Sequence, residues 1–294
     1  MEFSKKYKLS SKLGSQRKRK FGEIFKARDT QTNETVILKA VRLDTSDPSI
    51  ANRLRAEASF SFDFEGLPTT IEFEESNSTF FLVRKYVDGV PLDAYWATLK
   101  RKQQLLFLKQ FLEKLRPIFD HLKEQGVVHC DIKPSNFLIE ELESSFRIHL
   151  LDFGLSIRTA ETKINQERKL LFPLGYAAPE LLMNHLALVD QRTDIFALGV
   201  VFWRLLTGKL PLTHPNPSIF TNLQLTHPLP EHSNISKKMH AVLQKMAAKH
   251  TFRVPPNRMN PEEVSRLLKQ AMENRYNSIN EVIDAIAPIK RRFW

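Results

Sequence analysis

The sequence predicts an α+β chain in two parts: a small antiparallel sheet carrying one helix, followed by a larger, mainly helical region. Three observations predict it. Residues 7–43 alternate strand-like runs with turn residues, residues 99–125 repeat apolar side chains at helical spacing, and the change of period falls at the connector "DGVP", residues 88–91.

The runs "YKLSSKL" (7–13), "EIFKARD" (23–29) and "ETVILKAVRL" (34–43) read as strands of a meander, with "DTQTNE" supplying the turn between the last two. Asp47 and Pro48 offer a cap and a first-turn proline for a helix through "SIANRLRAEASFSF", and two further strand-like runs follow, "TTIEFEES" and "TFFLVRKYV". In the second part, Leu105, Leu108, Leu112, Leu115, Phe119 and Leu122 mark one helix face that stops at Gly126, with Pro117 expected to kink it. Two short strands, "NFLIEE" and "FRIHLLDF", come next, and helices with proline-rich loops dominate from residue 180 to about 270. In the last stretch, Ser278 and Glu281 form a capping-box pattern. Ile279, Val282, Ile283 and Ile286 follow at i, i+3, i+4 and i+7 before Pro288. A helix this short is marginal alone, so it is expected to dock. The expected division is 1–87, 88–270 and a tail of 271–294.

Composition bounds the function classes. Of 294 residues 42% are hydrophobic and 26% charged, which is the balance of a globular protein with ample core. Lys and Arg total 44 against 33 Asp and Glu, a formal charge of +11 that favours acidic or phosphorylated partners. The single cysteine, Cys130, excludes an intrachain disulfide and a cysteine-rich zinc site, and points to a reducing, cytoplasmic setting. No run is apolar enough for a signal peptide or a transmembrane segment.

The stretch that carries chemistry is "VVHCDIKPSNFLI", residues 127–139, with "LDFG" following at 151–154. Moving a phosphoryl group needs a carboxylate to orient the attacking hydroxyl and accept its proton, a cation on the transferring oxygens, and hard oxygen ligands for magnesium. Asp131 suits the first task and Lys133 the second. Asn136 and Asp152 suit the third.

These segments resemble the catalytic and metal-binding loops of the eukaryotic-type protein kinases, and the likeness runs in order from residue 7 to about 270. It implies a two-lobed protein kinase-like fold, an antiparallel-sheet N-lobe with one helix and a larger helical C-lobe. It further implies transfer of the γ-phosphate of ATP to Ser or Thr hydroxyls of a protein substrate, with Mg²⁺, or Mn²⁺ in its place. By this resemblance Lys39 in "VILKAV" holds the α- and β-phosphates. Glu57, eighteen positions on, pairs with that lysine. Gly14, Phe21, Gly22 and Ile24 form a nucleotide lid. "AAPE" (177–180) closes the activation segment, Asp194 braces the catalytic loop backbone, and Arg258 pairs with Glu180. Lys133 favours Ser/Thr over Tyr.

The chain departs from the family at four places. Cys130 stands where the family has an arginine that ties the loop to a phosphorylated activation segment. Activity is therefore expected to depend less on phosphorylation at Thr159 or Thr162, and Cys130 is expected to be a packed side chain rather than a redox sensor. Pro173 stands where a threonine is common. Arg84 replaces an uncharged side chain behind the adenine pocket, and a buried arginine needs an anion. Glu57 is the expected candidate, and if Arg84 took it from Lys39 the resting state would be less active. The lid is three residues longer at its tip and carries Arg17, Lys18, Arg19 and Lys20, expected to face water and to recruit acidic substrates more than ATP.

Three other classes were weighed. A pseudokinase that binds nucleotide or serves as a scaffold draws on the altered lid, Cys130 and Pro173, but not on the intact set Lys39, Glu57, Asp131, Asn136 and Asp152. A small-molecule phosphotransferase of the aminoglycoside-kinase type lacks the "APE" segment. A specific nucleic-acid binder is not expected, because "RKRK" and "KRRFW" lack aromatic interleaving along a groove. Oligomeric state is not legible in the residues.

Overall fold

The computed structural model describes residues 6–13, 23–43, 48–76, 79–161 and 172–290. The lid residues Gly14, Phe21 and Gly22, the basic run from Arg17 to Lys20, and Thr162 lie outside them. The chain forms two compact units, residues 1–90 with 138–155, and residues 91–137 with 156–294. The first unit thus also takes residues 138–155, which a contiguous division at residue 87 leaves in the helical part.

The first unit is built on five antiparallel strands, β1 (Tyr7–Leu13), β2 (Glu23–Asp29), β3 (Thr35–Arg42), β4 (Thr70–Glu75) and β5 (Thr79–Lys85), in the order β1-β2-β3-β5-β4. The sheet twists enough that its two edges meet: the Tyr7 hydroxyl donates to Glu72 at 2.6 Å. The period of two sorts the side chains. Leu38 and its cross-strand partner Val83 face one core with Tyr7, Ala27 and Val36. Val41, Phe80 and Leu82 face the other, where Leu54 covers them. Leu54 belongs to helix α1 (Pro48–Ala58), whose buried stripe is Ala51, Leu54 and Glu57. Lys39 is paired with Leu82, and Arg84 lies two residues beyond Leu82, so both side chains share the face that α1 covers. Helix α1 ends at Ala58, earlier than the expected run to Phe62. Ser59 folds its hydroxyl onto the Ala56 carbonyl at 2.8 Å, and the amide of Phe60 turns back to the Glu57 carbonyl.

In the second unit α2 (Leu92–Thr98) precedes α3 (Arg101–Glu124), which carries the 99–125 pattern. The break is capped by the Gln103 side chain, which accepts the Lys100 amide at 2.9 Å. Helix α3 runs on through Pro117, held by a stripe from Leu105 to Leu122 that is buried along its length. The single turn α4 (Pro179–Leu182) is followed by α5 (Gln191–Thr207), α6 (Pro217–Thr226), α7 (Lys237–Met246) and α8 (Pro261–Glu273). Helix α5 is buried on nearly every side, begins at an Asp190 cap and stops at Gly208, whose φ of 79° favours glycine.

The tail docks as expected. Helix α9 (Ile279–Ile286) begins with the Ser278 hydroxyl accepting the Glu281 amide, buries Ile279, Val282 and Ile286, and packs on α3 and α7. Lys109 of α3 donates to the carbonyls of Ala287 and Ile289 at 2.7 and 3.0 Å, closing the helix end. A chain ending at Asn277 is expected to melt about 5–10 °C lower, because three buried apolar side chains of α9 are lost. An unchanged melting temperature in a calorimetric scan would show that α9 contributes nothing to stability.

Candidate active site

The loop that carries Asp131 leaves a short strand, β6 (Val127–Val128), which pairs with a second two-residue strand, Ile157–Arg158. Two backbone amides then point inward, and the Asp194 carboxylate at the start of α5 receives both. His129 donates to Oδ2 at 2.8 Å and Cys130 to Oδ1 at 2.9 Å. Burial pushes the Asp194 carboxyl up to about 7, with those two amides acting in the opposite direction. The Ser156 hydroxyl adds a third tie, to the His129 carbonyl at 3.1 Å. The loop is held tightly enough to keep Cys130 at φ 63°, unusual for a residue with a side chain.

Three sequence-predicted residues come together beyond this brace. Lys133 Nζ lies 2.6 Å from Asp131 Oδ2, and Asn136 Nδ2 donates to the Asp131 carbonyl at 2.8 Å and to Oδ2 at 3.2 Å. The short turn Pro134–Asn136 returns Asn136 to Asp131. With its amide nitrogen committed to Asp131, Asn136 presents Oδ1 as the remaining hard oxygen. The Asp131 side chain is fully buried, while Lys133 is partly exposed.

Cys130 is buried, its thiol 3.5 Å from the Val128 carbonyl. Burial, reinforced by Asp194, Glu180 and Asp131, pushes the thiol well above its ordinary range, so it stays protonated and packed. Pro173 is half-buried and has no donor to offer, and Thr159 is exposed with its hydroxyl donating to the Gly126 carbonyl at 3.2 Å.

In the first unit Lys39 Nζ lies 2.6 Å from Glu57 Oε1, the pairing expected from the sequence. Ile24 is the cross-strand partner of Lys39 and so shares its face. Asp152 adopts φ 66°, and Phe153 beside it is wholly buried against Phe62 and Phe60, with ring centres 4.9 and 5.8 Å away. Gly154 packs closely on α1: an added Cβ would lie 3.1 Å from the Arg53 carbonyl, tighter than most Cβ contacts.

Glu57 is the anion beside Arg84, as expected: Arg84 Nε lies 3.6 Å from Oε1, while Lys39 keeps its contact at 2.6 Å, so the carboxylate is shared and not drawn away. Arg84 Nη2 goes to backbone carbonyls. One expectation is corrected: Arg258 does not pair with Glu180. Arg258 is exposed, and the partner is Arg275, whose Nη1 and Nη2 meet Oε1 and Oε2 at 2.6 and 2.9 Å. Arg275 is also tied to the Ala248 carbonyl at 2.9 Å and lies over the Phe196 ring at 4.8 Å, and Thr193 donates to Glu180 at 2.8 Å. Burial raises the Glu180 carboxyl, but the charge and hydrogen bonds of Arg275 outweigh it and hold the group below its ordinary range. Arg275 gave one faint signal in the sequence, its place just past the end of a strongly amphipathic helix.

The first unit thus holds a five-stranded sheet bearing one helix and the Lys39–Glu57 pair, and the second holds a carboxylate loop braced from a buried helix. The protein kinase domain family matches residues 7–275, and the chain belongs to that family. It is 29% identical over 194 residues to the serine/threonine-protein kinase PrkC of Bacillus subtilis, covering 64% of this chain and 28% of PrkC. A probable serine/threonine-protein kinase of Clostridium acetobutylicum is 24% identical over 302 residues, 99% of this chain and 41% of that protein. The serine/threonine-protein kinase PknB of Mycobacterium tuberculosis is 28% identical over 274 residues, 87% and 41%. The chain therefore spans well under half the length of these relatives.

Proposed function

We propose that this chain transfers the γ-phosphoryl group of ATP to serine or threonine hydroxyls of protein substrates. The observation that carries the reading is the Asp131 carboxylate, buried and held by Lys133 and Asn136 on a loop braced from Asp194. Asp131 orients the attacking hydroxyl and accepts its proton. Lys133 neutralises charge on the transferring oxygens, and Lys39, kept extended by Glu57, grips the other phosphates. Asn136 Oδ1 and the Asp152 carboxylate are hard oxygen donors that fit Mg²⁺ or Mn²⁺. The bound metal supplies charge neutralisation on the phosphates. Gly14, Phe21, Gly22 and Ile24 cover the nucleotide in this reading. Lys133 and the three serine/threonine-kinase relatives support hydroxyl rather than phenol acceptors.

The formal charge of +11 favours acidic protein substrates, whose recruitment salt would weaken. Among the described residues no helix is long and apolar enough to cross a membrane. The test is incubation with γ-labelled ATP, Mg²⁺ and a generic Ser/Thr protein substrate at two ionic strengths. Labelled phosphoserine or phosphothreonine is expected, more of it on an acidic substrate at low salt. Nucleotide binding without any transfer would mean a pseudokinase.

A further inference from the structure

Arg84 is 6% exposed, and its position on β5 places it on the α1 face of the sheet, in line with Leu82 and Phe80. Burying a guanidinium is costly unless its donors are used. One nitrogen is used twice: Nη2 donates to the carbonyl of Glu57 at 2.6 Å and to that of Phe60 at 2.9 Å. Both carbonyls belong to the exit of α1, where the last turn of a helix leaves acceptors without intrahelical partners. A cation at that end also complements the helix dipole. Nε stands 3.6 Å from Glu57 Oε1, so the same side chain touches the main chain of Glu57 and lies beside its carboxylate. Among the described residues Nε and Nη1 have no hydrogen-bond partner, and burial lowers the pKa of the guanidinium, with Glu57 and Asp152 opposing.

We propose that Arg84 is a positioning residue: its guanidinium staples the exit of α1 to strand β5 and so holds Glu57 against Lys39. Helix α1 has 11 residues, too short to be firm on its own. Its apolar grip on the sheet comes through Leu54, with Ile50 and Ala58 packed on the same cluster. The two Arg84 bonds add a polar tie at the C-terminal end, against fraying of the last turn, in which Glu57 sits. The staple also fixes Phe60, which packs against Phe153 beside Asp152. An uncharged side chain at residue 84 fills space but supplies neither bond. In this reading the Lys39–Glu57 pair is held by contacts within the first unit.

The inference rests on the kinase reading for its effect on turnover, but its structural core is measured without activity. Three variants serve, Arg84→Met, Arg84→Lys and Glu57→Gln. In hydrogen exchange, Arg84→Met is expected to speed the amides of residues 54–60 by about tenfold or more while those of α5 keep their protection. Arg84→Lys keeps the charge but has no planar fork for two carbonyls, and should fall between. In kinetics Arg84→Met should lower kcat about tenfold, and in the Glu57→Gln background it should lower kcat less than twofold further, because both act through one carboxylate. Unchanged exchange at residues 54–60 in Arg84→Met overturns the staple, as does Arg84→Lys exchanging as slowly as wild type. Full multiplication of the two kinetic effects overturns the route through Glu57. If Arg84→Met does not fold, the Arg84→Lys exchange pattern and its cycle with Glu57→Gln decide. A wild-type chain that transfers no phosphate sinks the functional reading alone, and the exchange arm still decides Arg84.

Discussion

Replacing Asp131 with Asn is expected to cut phosphoryl transfer by about a thousandfold, with nucleotide affinity changed only a few-fold. The variant keeps the shape of the loop. Asn136 still donates to the main-chain carbonyl of residue 131 at 2.8 Å, and the brace from Asp194 engages the amides of His129 and Cys130, not the Asp131 side chain. What changes is chemistry. A carboxamide cannot take the proton of the attacking hydroxyl, and its one oxygen cannot replace the charge that Lys133 meets at 2.6 Å. Single-turnover rates with labelled ATP, beside a nucleotide titration of the same protein, separate the two effects. Equal transfer by wild type and variant would remove Asp131 from the role given to it.

Arg275→Met is expected to destabilise the chain by roughly 3–5 kcal/mol, because it takes the hydrogen-bonded ion-pair partner from the buried Glu180 carboxylate. Both members of the pair are almost fully buried, at 1% and 0% side-chain exposure. Replacing exposed Arg258 by Met should stay within about 0.5 kcal/mol of wild type. The pH dependence has a definite sign. In the wild type Glu180 titrates below its ordinary range, so the stability it contributes is complete above the unfolded pKa and lost as pH falls through the folded one. In Arg275→Met burial is opposed by the Thr193 and main-chain hydrogen bonds without the help of Arg275, so the carboxyl titrates higher and that fold gains from protonation. The gap between the two proteins should be widest near neutrality and narrow toward acid pH. Urea unfolding at several pH values measures it. A gap below about 1 kcal/mol at neutral pH would show that Glu180 finds other partners or is hydrated.

Much of the site was legible along the chain because its parts are local. The turn from Asp131 to Asn136 closes on itself within six residues, so the residue types at that spacing imply their contacts. Lys39 and Glu57 were legible through the family resemblance, and strand period and helix stripe explain why they meet: one lies on the face of β3 that the other's helix covers. Gly14, Phe21 and Gly22 fall outside the described residues, and of the lid set only Ile24 is placed, opposite Lys39.

The contact that the sequence misassigned is one between charges far apart in the chain. Arg258 and Arg275 look alike as letters, and Glu180 is 95 residues from the one it binds. What selects Arg275 is desolvation. It lies over Phe196 and beside the Ala248 carbonyl, where its charge meets Glu180, while Arg258 keeps its water. The same physics governs Arg84. Its burial and its register on β5 follow from the alternation of the strand, but its hydrogen bonds to two carbonyls depend on where α1 ends. Periodicity and local spacing thus specified the strands, the helices and the carboxylate loop. The partners of the buried arginines were set by packing, because a charge removed from water takes whichever acceptors the fold brings within reach.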